Sequence, residues 1–284
     1  MKIAAVSDIH GNLGALDAVL ADIGRRGADV TVNLGDILSG PLQPRETAER
    51  LMPLRLPTIR GNHERQLLSP DLDAMGQSDR YAADRITPAQ RAWLTALPAT
   101  LWLTDDVFLC HATPDSDVDC YLEDIRNGEL IPSPLAQIER RTLPCGAGLI
   151  LCGHTHIARV AYLPSGQVIV NPGSVGIQAY EGHHPIPHEV EVGSPHARYA
   201  MLERGAHGWT VDLIAVPYDW EAAARLATAH HRPDWSQPLR AGFLARPELA
   251  DEVAEVALHC SQLPVRDDRS ADEILGYDEH GMPI

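Results

Sequence analysis

Five short motifs in the sequence carry carboxylate, amide and imidazole side chains, which are groups that bind divalent metal ions. In chain order they are Asp8-Ile9-His10, Gly35-Asp36, Gly61-Asn62-His63-Glu64, His111 and Gly153-His154-Thr155-His156. In an extended segment, residues i and i+2 project to the same side, so both members of a DxH or HxH pair can face one ion. Mixed nitrogen and oxygen donors suit the divalent ions of Mn, Fe, Zn or Ni. The motifs do not form a soft thiolate site. The pattern therefore predicts a site for divalent cations.

Two divalent ions about 3.5–4 Å apart can share a hydroxide and hold the phosphoryl oxygens during an in-line displacement. A bridging position between them needs a carboxylate with two donor oxygens, which Asp36 supplies. Metal ligation lowers the pKa of water to around 7, so the nucleophile forms at neutral pH without a protein base. The leaving alkoxide still needs a proton, and His63, next to Asn62, is our candidate general acid or transition-state donor. A histidine that only supports the metal ligands is the alternative.

The first three motifs each follow a predicted strand. Strands over 2–7, 30–34 and 54–59 alternate with helices over 13–25 and 44–52, which implies parallel pairing in a layered α/β fold. Loops at the carboxyl ends of strands in an open sheet converge on one crevice. The five motifs can therefore meet although they span about 150 positions of sequence.

The rest of the chain is predicted to mix strands and helices. We expect helices over 88–97, 133–142, 219–230 and 247–260, strands over 100–104, 107–111 and 148–152, and hairpins over 158–163/167–171 and 198–204/209–216. The histidine- and proline-rich segment 180–197 is predicted to be a solvated loop, because Pro185, Pro187 and Pro195 block regular structure. A substrate lid and a third metal site are the alternatives for that segment. We predict one domain over 1–260, with a motif core over 1–176, C-terminal strands and helices over 197–260, and an acidic tail over 261–284.

In this order the five motifs resemble the complete signature of the calcineurin-like metallophosphoesterases. The segment Asn171-Pro172-Gly173-Ser174-Val175-Gly176 resembles a late motif of their small bacterial phosphodiesterase branch, so the resemblance covers residues 1 to about 176. It implies an α/β fold: a four-layer α-β-β-α sandwich of two mixed β-sheets flanked by helices. It also implies two metal sites that share Asp36, one with Asp8, His10 and His156 and the other with Asn62, His111 and His154.

The resemblance implies a two-metal-dependent phosphoesterase that hydrolyses a small phosphodiester by attack of a metal-bridging hydroxide. A phosphomonoesterase, a dinucleoside polyphosphate hydrolase and a non-catalytic scaffold of the same fold are the alternatives. Asn12 and Arg65 are candidate phosphate contacts, although Asn12 could merely cap the helix that follows. A protein Ser/Thr phosphatase is disfavoured, because that branch carries GDxxDRG where this chain reads Gly35-Asp36-Ile37-Leu38-Ser39-Gly40-Pro41. The missing Asp would orient the histidine, so the partner of His63 is unassigned.

The composition narrows the substrate and the compartment. The formal net charge of the 284 residues is -16, which disfavours a long nucleic acid or an anionic membrane as partner. A small phosphorylated substrate is still compatible with this charge, because two divalent ions make the centre of the site positive. Five cysteines without a CxxC pair, an N-terminus without a signal-like apolar run and the lack of any long apolar stretch predict a reduced, cytoplasmic protein. The oligomeric state is left open.

Overall fold

The computed structural model describes residues 1–71, 75–143, 145–246 and 258–259. The chain divides into two compact units, one from Met1 to Ala245 and a second from Arg246 to Ile284. The predicted acidic tail over 261–284 and the predicted helix over 247–260, apart from two helical residues at 258 and 259, lie outside the described residues. A single domain that ends at 260 therefore stays a prediction.

The first unit contains eight α-helices and thirteen strands in its described residues. The helices are α1 (Leu13–Arg26), α2 (Pro44–Leu51), α3 (Asn62–Leu67), α4 (Gln77–Ala83), α5 (Pro88–Thr95), α6 (Leu135–Thr142), α7 (Trp220–Ala229) and α8 (Ser236–Ala241). The strands are β1 (Lys2–Val6), β2 (Val30–Asn33), β3 (Leu101–Thr104), β4 (Val107–Leu109), β5 (Glu123–Arg126), β6 (Glu129–Pro132), β7 (Leu149–Leu151), β8 (Arg159–Tyr162), β9 (Val168–Asn171), β10 (Ala179–Gly182), β11 (His188–Glu191), β12 (Ala197–Gly205) and β13 (Gly208–Val216). Across the described part of the chain, every helix is too short or too polar to cross a membrane.

The strands form three mixed sheets, two large ones that make up the central layers and a third that has four short strands. The first large sheet has the order β13-β12-β1-β2, and the second has the order β3-β4-β7-β9-β8. In the first sheet β1 and β2 are parallel, and in the second β4, β7 and β9 are parallel. The parallel strands therefore present their carboxyl ends at a common edge of each sheet, where the metal-type motifs follow.

The core places the two large sheets face to face between layers of helix. Along β1, Ile3 and Ala5 pack in a core shared with the second sheet, whereas Ala4 and Val6 pack in a core shared with α1 and α2. On the far face of the second sheet, Ile150 packs in a core that includes residues of α6. Because β1 is covered on both faces, it reads as an unbroken apolar run. The predicted four-layer α/β sandwich is confirmed.

The predicted strand over 54–59 is wrong. A 3-10 helix occupies Met52–Leu54, and only Thr58 pairs with the neighbouring strand, through one parallel bridge to Asn33. Ile59 N still donates to the Asn33 carbonyl at 3.0 Å, but Pro57 has no amide hydrogen for the preceding ladder bond, so the pairing does not extend beyond this bridge. The bridge nevertheless holds the segment beside β2 and so delivers the Gly61 motif to the same edge.

The third sheet, β10-β11-β6-β5, was not predicted, and it corrects the loop expected over 180–197. In that segment, β10 and β11 form an antiparallel hairpin, and Pro185 and Pro187 lie in the turn between the strands, where they cost no ladder bond. The hairpin of β5 and β6 turns at Asn127-Gly128, both with positive φ, which is a strong short hairpin signal that the prediction overlooked.

Candidate metal centre and active site

The predicted ligands follow the ends of four strands and the start of α3, and the structure brings them together. Two groups of potential metal ligands are formed, Asp8 with His10 and His156, and Asp36 with His111 and His154. The ligand atoms within each group lie within 4.8 Å of one another. The groups adjoin, because Asp8 Oδ1 lies 3.6 Å from His156 Nε2 and 4.0 Å from His111 Nε2. Residues more than 140 positions apart in sequence thus share one small buried volume.

Hydrogen bonds to the backbone decide which nitrogen of each histidine faces this volume. A carbonyl oxygen only accepts, so the ring nitrogen beside it carries the proton. His10, His111 and His156 each hold Nδ1 2.7–2.9 Å from a carbonyl oxygen, whereas His154 holds Nε2 2.9 Å from one. In each histidine the other ring nitrogen is therefore the one available to bind a cation.

In the first group the geometry fits a cation. Nε2 of His10 and Nε2 of His156 face each other at 3.2 Å as two lone pairs. Burial lowers the pKa of His10 to about 4 and the pKa of His156 well below its usual value, so both rings are neutral at neutral pH. Two acceptors at this distance repel each other unless they share a positive ion, so the donor set suits a divalent cation.

In the second group Asn62 joins the predicted ligands. Its Oδ1 lies 3.2 Å from His111 Nε2 and 3.1 Å from His154 Nδ1, and His111 Nε2 lies 3.2 Å from Asp36 Oδ2. Burial disfavours the charged form of His111, yet Asp36 and Asp8 outweigh it and raise its pKa to about 10. In the metal-free protein a proton thus occupies a place between His111 and the carboxylates that a metal cation fits.

The two buried carboxylates are held in different charge states when no cation is present. Burial raises the pKa of Asp8 to about 7, and the nearby Asp36 adds to this while His111 opposes it. Burial also acts to raise the pKa of Asp36, but His111 and His63 outweigh it and hold that pKa well below the usual range. Adjacent buried carboxylates separate their pKa values in this way when they lack enough positive charge, which two cations would supply.

The backbone at the ligands adopts a rarely populated conformation. Asp8, His10, Asp36, His154 and His156 all have φ between +50° and +69°. They are five of the eight non-glycine residues with positive φ in the described parts of the chain. A left-handed residue with a Cβ costs on the order of 1 kcal/mol, and such residues persist where the surrounding fold holds them for function. The turns bend sharply directly after the strands and aim the ligands into the shared volume.

Asp79 is the partner of His63 that the sequence left unassigned. His63 Nδ1 lies 2.8 Å from Asp79 Oδ1, and the Asp79 side chain on α4 is 4% exposed whereas that of His63 is 29% exposed. Burial opposes the charge on His63, but Asp36 and Asp79 overcome it and raise the pKa of His63 to about 9. The imidazole therefore carries two protons at neutral pH, with Nδ1–H held by Asp79 and Nε2–H free of that bond.

Glu64, the last residue of the third motif, organises the loops around the second group. Its carboxylate is fully buried and accepts hydrogen bonds from the backbone amides of Asp36, Ile37 and Gly61, each at 2.8 Å. Gly61 itself approaches Asp36 so closely that a Cβ there would overlap Asp36 Oδ1 and lie 2.7 Å from His111 Cε1. In the Gly-Asn-His-Glu sequence, the glycine thus permits a close approach, and the glutamate holds the loops around the predicted ligand Asn62 and the protonated His63.

The late motif supports the remaining ligand loops. Asn171 Nδ2 donates to the Gly153 carbonyl at 2.7 Å, and Ser174 Oγ donates to the Asp8 carbonyl at 2.8 Å. Glu123, fully buried on β5, accepts from Thr155 Oγ1 at 3.0 Å. These bonds tie the loops that carry the first group to β9 and to the small sheet.

The cavity above the two groups has a volume of about 350 Å³ and is lined by residues from both halves of the first unit. His10, Asp36, Asn62, His63, His154 and His156 line it, as do residues that the sequence did not assign to the site, namely Ser39, Ser78, Ile177, Ala179, Tyr180, Glu181, His183, Arg232, Asp234, Trp235, Pro238, Leu244 and Ala245. The β10–β11 hairpin thus lines the cavity, as in the lid alternative for that segment. No motif spacing pointed to these residues.

The structure places the two predicted phosphate contacts outside this lining. Asn12 caps α1, since its Oδ1 accepts from the Ala15 amide at 3.2 Å and its Nδ2 donates to the Gly176 carbonyl at 2.8 Å. Arg65 forms a bidentate ion pair with Asp117, with both N–O distances at 2.7 Å. Asn12 therefore acts as a helix cap, which was the alternative for this residue. The Arg65 guanidinium is paired with the Asp117 carboxylate.

Comparisons with known proteins give a matching family model, a relative and two structures of similar fold. Residues 1–188 match the family model described as calcineurin-like phosphoesterase superfamily domain. An uncharacterized protein of Methanocaldococcus jannaschii, MJ0912, is 25% identical over 263 residues, which cover 82% of this chain and 94% of the relative. The crystal structure of a metallophosphoesterase from Sphaerobacter thermophilus has a TM-score of 0.66 at 24% identity and covers 86% of this chain and 100% of its own. The hypothetical protein PH1004 from Pyrococcus horikoshii OT3 has the same TM-score at 20% identity, covering 86% of this chain and 99% of its own. These two structures share the fold.

Proposed function

Because the chain belongs to the calcineurin-like phosphoesterase superfamily, we propose that it is an enzyme that hydrolyses a small phosphodiester with two divalent cations as cofactors. The family is metal-dependent, and this chain has two potential metal-binding groups. The observation that carries the proposal is their arrangement: both groups and the protonated His63 face one cavity large enough for a small ester.

We assign the ligands as the resemblance implies. Asp8, His10, Asp36 and His156 hold one cation, and Asp36 with Asn62, His111 and His154 holds the other, chosen from Mn, Fe, Zn or Ni by the mixed N and O donors. Bound cations would polarise the phosphoryl oxygens and provide a water-derived nucleophile at neutral pH. The fixed tautomers of the histidines keep their lone pairs directed at these ions.

His63 protonates the leaving oxygen in this proposal. Its Nδ1–H is held by Asp79, so Nε2–H is the proton available in the cavity. Because the pKa of His63 is about 9, the ring still carries this proton at neutral pH. The proton is therefore available to the ester oxygen as that oxygen leaves. Asp79 holds the ring in one orientation and balances the charge of the imidazolium.

The charges around the cavity favour a diester over a monoester. Arg232 is the one Lys or Arg among the described residues that line the cavity, and its guanidinium lies 2.6 Å from the Asp234 carboxylate. Glu181 and Asp234 add negative charge to the same lining. A phosphodiester carries one negative charge, whereas a monoester at neutral pH carries close to two. Apart from His63 and the bound cations, the second charge of a monoester would therefore meet no free cationic side chain in the described lining and would face acidic groups.

The same electrostatics restrict the partners. The net charge of -16 opposes a long polyanion across the surface, so we propose a small phosphorylated substrate and neither a long nucleic acid nor a membrane as partner. The four cysteines among the described residues are free and buried, which suits a reducing compartment, and we propose the cytoplasm.

The proposal is tested by hydrolysis of bis-p-nitrophenyl phosphate after chelator treatment and addition of Mn²⁺. We expect metal-dependent turnover of the diester that exceeds turnover of p-nitrophenyl phosphate and of a dinucleoside tetraphosphate. For an ester with a more basic leaving group, such as methyl phenyl phosphate, His63→Ala should lower kcat by about 10²- to 10⁴-fold, because it removes the proton donor. Asp36→Asn should lose activity together with bound metal, measured by elemental analysis.

His207→Ala is the matched control for the histidine variant, since His207 is exposed in the turn between β12 and β13. It should keep wild-type activity and metal content. Protein that binds two metals per chain but hydrolyses no ester of the panel would refute the enzymatic proposal and leave a scaffold of this fold.

A further inference from the structure

One wall of the cavity is built by a segment that lies beyond the matched residues 1–188. Arg232, Asp234, Trp235, Pro238, Leu244 and Ala245 all line the cavity, and they lie in or next to the 3-10 helix Pro233–Trp235 and α8. The metal-binding motifs do not specify this wall. Its chemistry therefore bears on which esters this particular chain accepts.

The wall is anchored to the core of the first unit. Trp235 is only 8% exposed and packs in a cluster with Ile177 and residues of α7 and α8. Its Cη2 lies 3.0 Å from the position that a Cβ at Gly40 would take, so the indole rests directly on the loop after Asp36. Leu244 N donates to Glu191 Oε1 at 2.8 Å, which ties the end of the segment to β11. The side chains that face the cavity thus have fixed positions.

Two aromatic rings of the cavity flank the imidazoles of the first metal-binding group. The Tyr180 ring centroid lies 4.6 Å from that of His156, and the Trp235 ring centroid lies 6.3 Å from that of His10. The two imidazoles are themselves 5.0 Å apart. Tyr180 is also fixed at its hydroxyl, which donates to the His154 carbonyl at 3.2 Å. An ester bound at the metal-binding groups would therefore have these two rings close to it.

We infer that Trp235 and Tyr180 form an aromatic clamp that selects phosphodiesters in which an esterified group carries a flat aromatic or heteroaromatic ring. Fixed aromatic side chains favour flat partners, because stacked and edge-to-face contacts add to the burial of apolar surface. The volume of about 350 Å³ is near the lower end for ligand pockets, so it suits one ring system and the phosphoryl group. This inference rests on the proposed function, since it takes the phosphoryl group to lie at the metal-binding groups.

The test compares benzyl methylphosphonate, which carries a flat aromatic ring, with cyclohexylmethyl methylphosphonate, whose ring is puckered. Both are monoanions with the same number of carbon atoms, and the cyclohexyl ligand is the more hydrophobic, so simple burial works against the expected result. Binding is measured by titration calorimetry on Mn²⁺-loaded His63→Ala protein, in which neither ester should turn over. We expect the benzyl ligand to bind about tenfold more tightly.

Variants assign this preference to the clamp. Trp235→Leu should reduce the ratio of the two Kd values to below about threefold, whereas Trp235→Phe, which keeps a ring, should retain most of it. Tyr180→Leu should also reduce the ratio and Tyr180→Phe should not. Trp102→Leu, at a 49% exposed tryptophan on β3 that does not line the cavity, is the matched control and should leave the ratio unchanged.

Equal affinities of the Mn²⁺-loaded His63→Ala protein for the two ligands would refute the clamp. A preference for the benzyl ligand that survives both Trp235→Leu and Tyr180→Leu would also refute it. If Trp235→Leu does not fold, the clamp is tested by the ratio of the two Kd values in the His63→Ala protein and in its Tyr180 variants. Failure of the proposed function is recognised separately, by wild-type protein that does not hydrolyse bis-p-nitrophenyl phosphate. A benzyl preference in such protein would leave the clamp standing as a binding site.

Discussion

Replacing Asp79 with Asn tests whether the carboxylate makes His63 an effective proton donor. The two residues are joined by a 2.8 Å hydrogen bond, and Asp79 is 3% exposed, so Asn can take the same volume and still accept from Nδ1–H through its amide oxygen. The substitution therefore removes the negative charge and leaves the shape. Asp79 contacts His63 but belongs to neither metal-binding group, so the metal content should not change.

The size of the effect follows from the loss of charge on one partner of this bond. A hydrogen bond to a charged group contributes about 1.5–3 kcal/mol, and a neutral one contributes about 0.5–1.5 kcal/mol. The difference of about 1–1.5 kcal/mol should lower the pKa of His63 by about 1, so at pH values above that pKa the fraction of protein that holds the proton should fall about tenfold. Solvent at the 29% exposed imidazole screens part of this, so tenfold is the upper expectation.

The assay varies the leaving group while the retained methyl group is constant. Methyl p-nitrophenyl phosphate releases a stabilised anion that needs little protonation, whereas methyl phenyl phosphate releases a more basic one. At about pH 10, Asp79→Asn should lower kcat up to about tenfold for the phenyl ester and less than about threefold for the p-nitrophenyl ester. At neutral pH, where His63 still holds its proton, the variant should not be slower. Asp84→Asn, at an exposed residue that caps the same helix, should change neither rate.

Equal losses for both esters would refute the reasoning, because they would show that the Asp79–His63 pair does not act on the leaving group. Unchanged rates for both above the pKa of His63 would show that the charge of Asp79 is irrelevant to turnover. Loss of metal would show that Asp79 supports the ligands instead, and elemental analysis of the purified variant separates this case.

Three further predictions concern the metal site and its supports. Burial raises the pKa of Asp8 to about 7, and Asp8 must be ionised to bind a cation, so metal affinity should fall as the pH drops through about 7. Metal binding near pH 7 should release protons, which calorimetry in buffers of different ionisation enthalpy measures. A metal affinity that is constant from about pH 8 to 6 would contradict this prediction. Glu64→Ala leaves three buried amides unbonded and should lower the free energy of unfolding of metal-free protein by about 3–5 kcal/mol in urea, against less than about 1 kcal/mol for the exposed control Glu49→Ala. Gly61→Ala should displace the adjacent carboxylate and cost bound metal, whereas Gly24→Ala, with open space around it, should not; a Gly61→Ala protein with two metals per chain would be the contrary result.

The sequence predicted those parts of the fold and site that local pattern encodes. The apolar run of β1 and the periodicity of α1 identify the layered α/β fold, and the metal-type residues identify themselves because each directly follows a strand or starts a helix. Side chains at strand ends converge by topology, so no distance needed to be known. The structure accordingly brings Asp8, His10 and His156 together as one group.

Other parts depend on contacts that no local pattern encodes. Asp79 is an ordinary polar residue in a short helix, and only the packing of α4 against α3 turns its carboxylate to His63. From sequence alone, Trp235 is indistinguishable from an ordinary core residue. Its position at the cavity depends on where α8 packs. The strand predicted over 54–59 is limited to one bridge because Pro57 lacks an amide hydrogen for the ladder, a signal that was present and given too little weight.

The five left-handed positions at the ligands limit how this protein can be made more robust. Glycine adopts positive φ without steric cost, so a glycine at any of these positions would relax the backbone by on the order of 1 kcal/mol while deleting a metal ligand. The same substitution would also remove a side-chain hydrogen bond to the backbone, which offsets the relaxed backbone. Variants with higher heat resistance must therefore gain their stability at positions away from these turns.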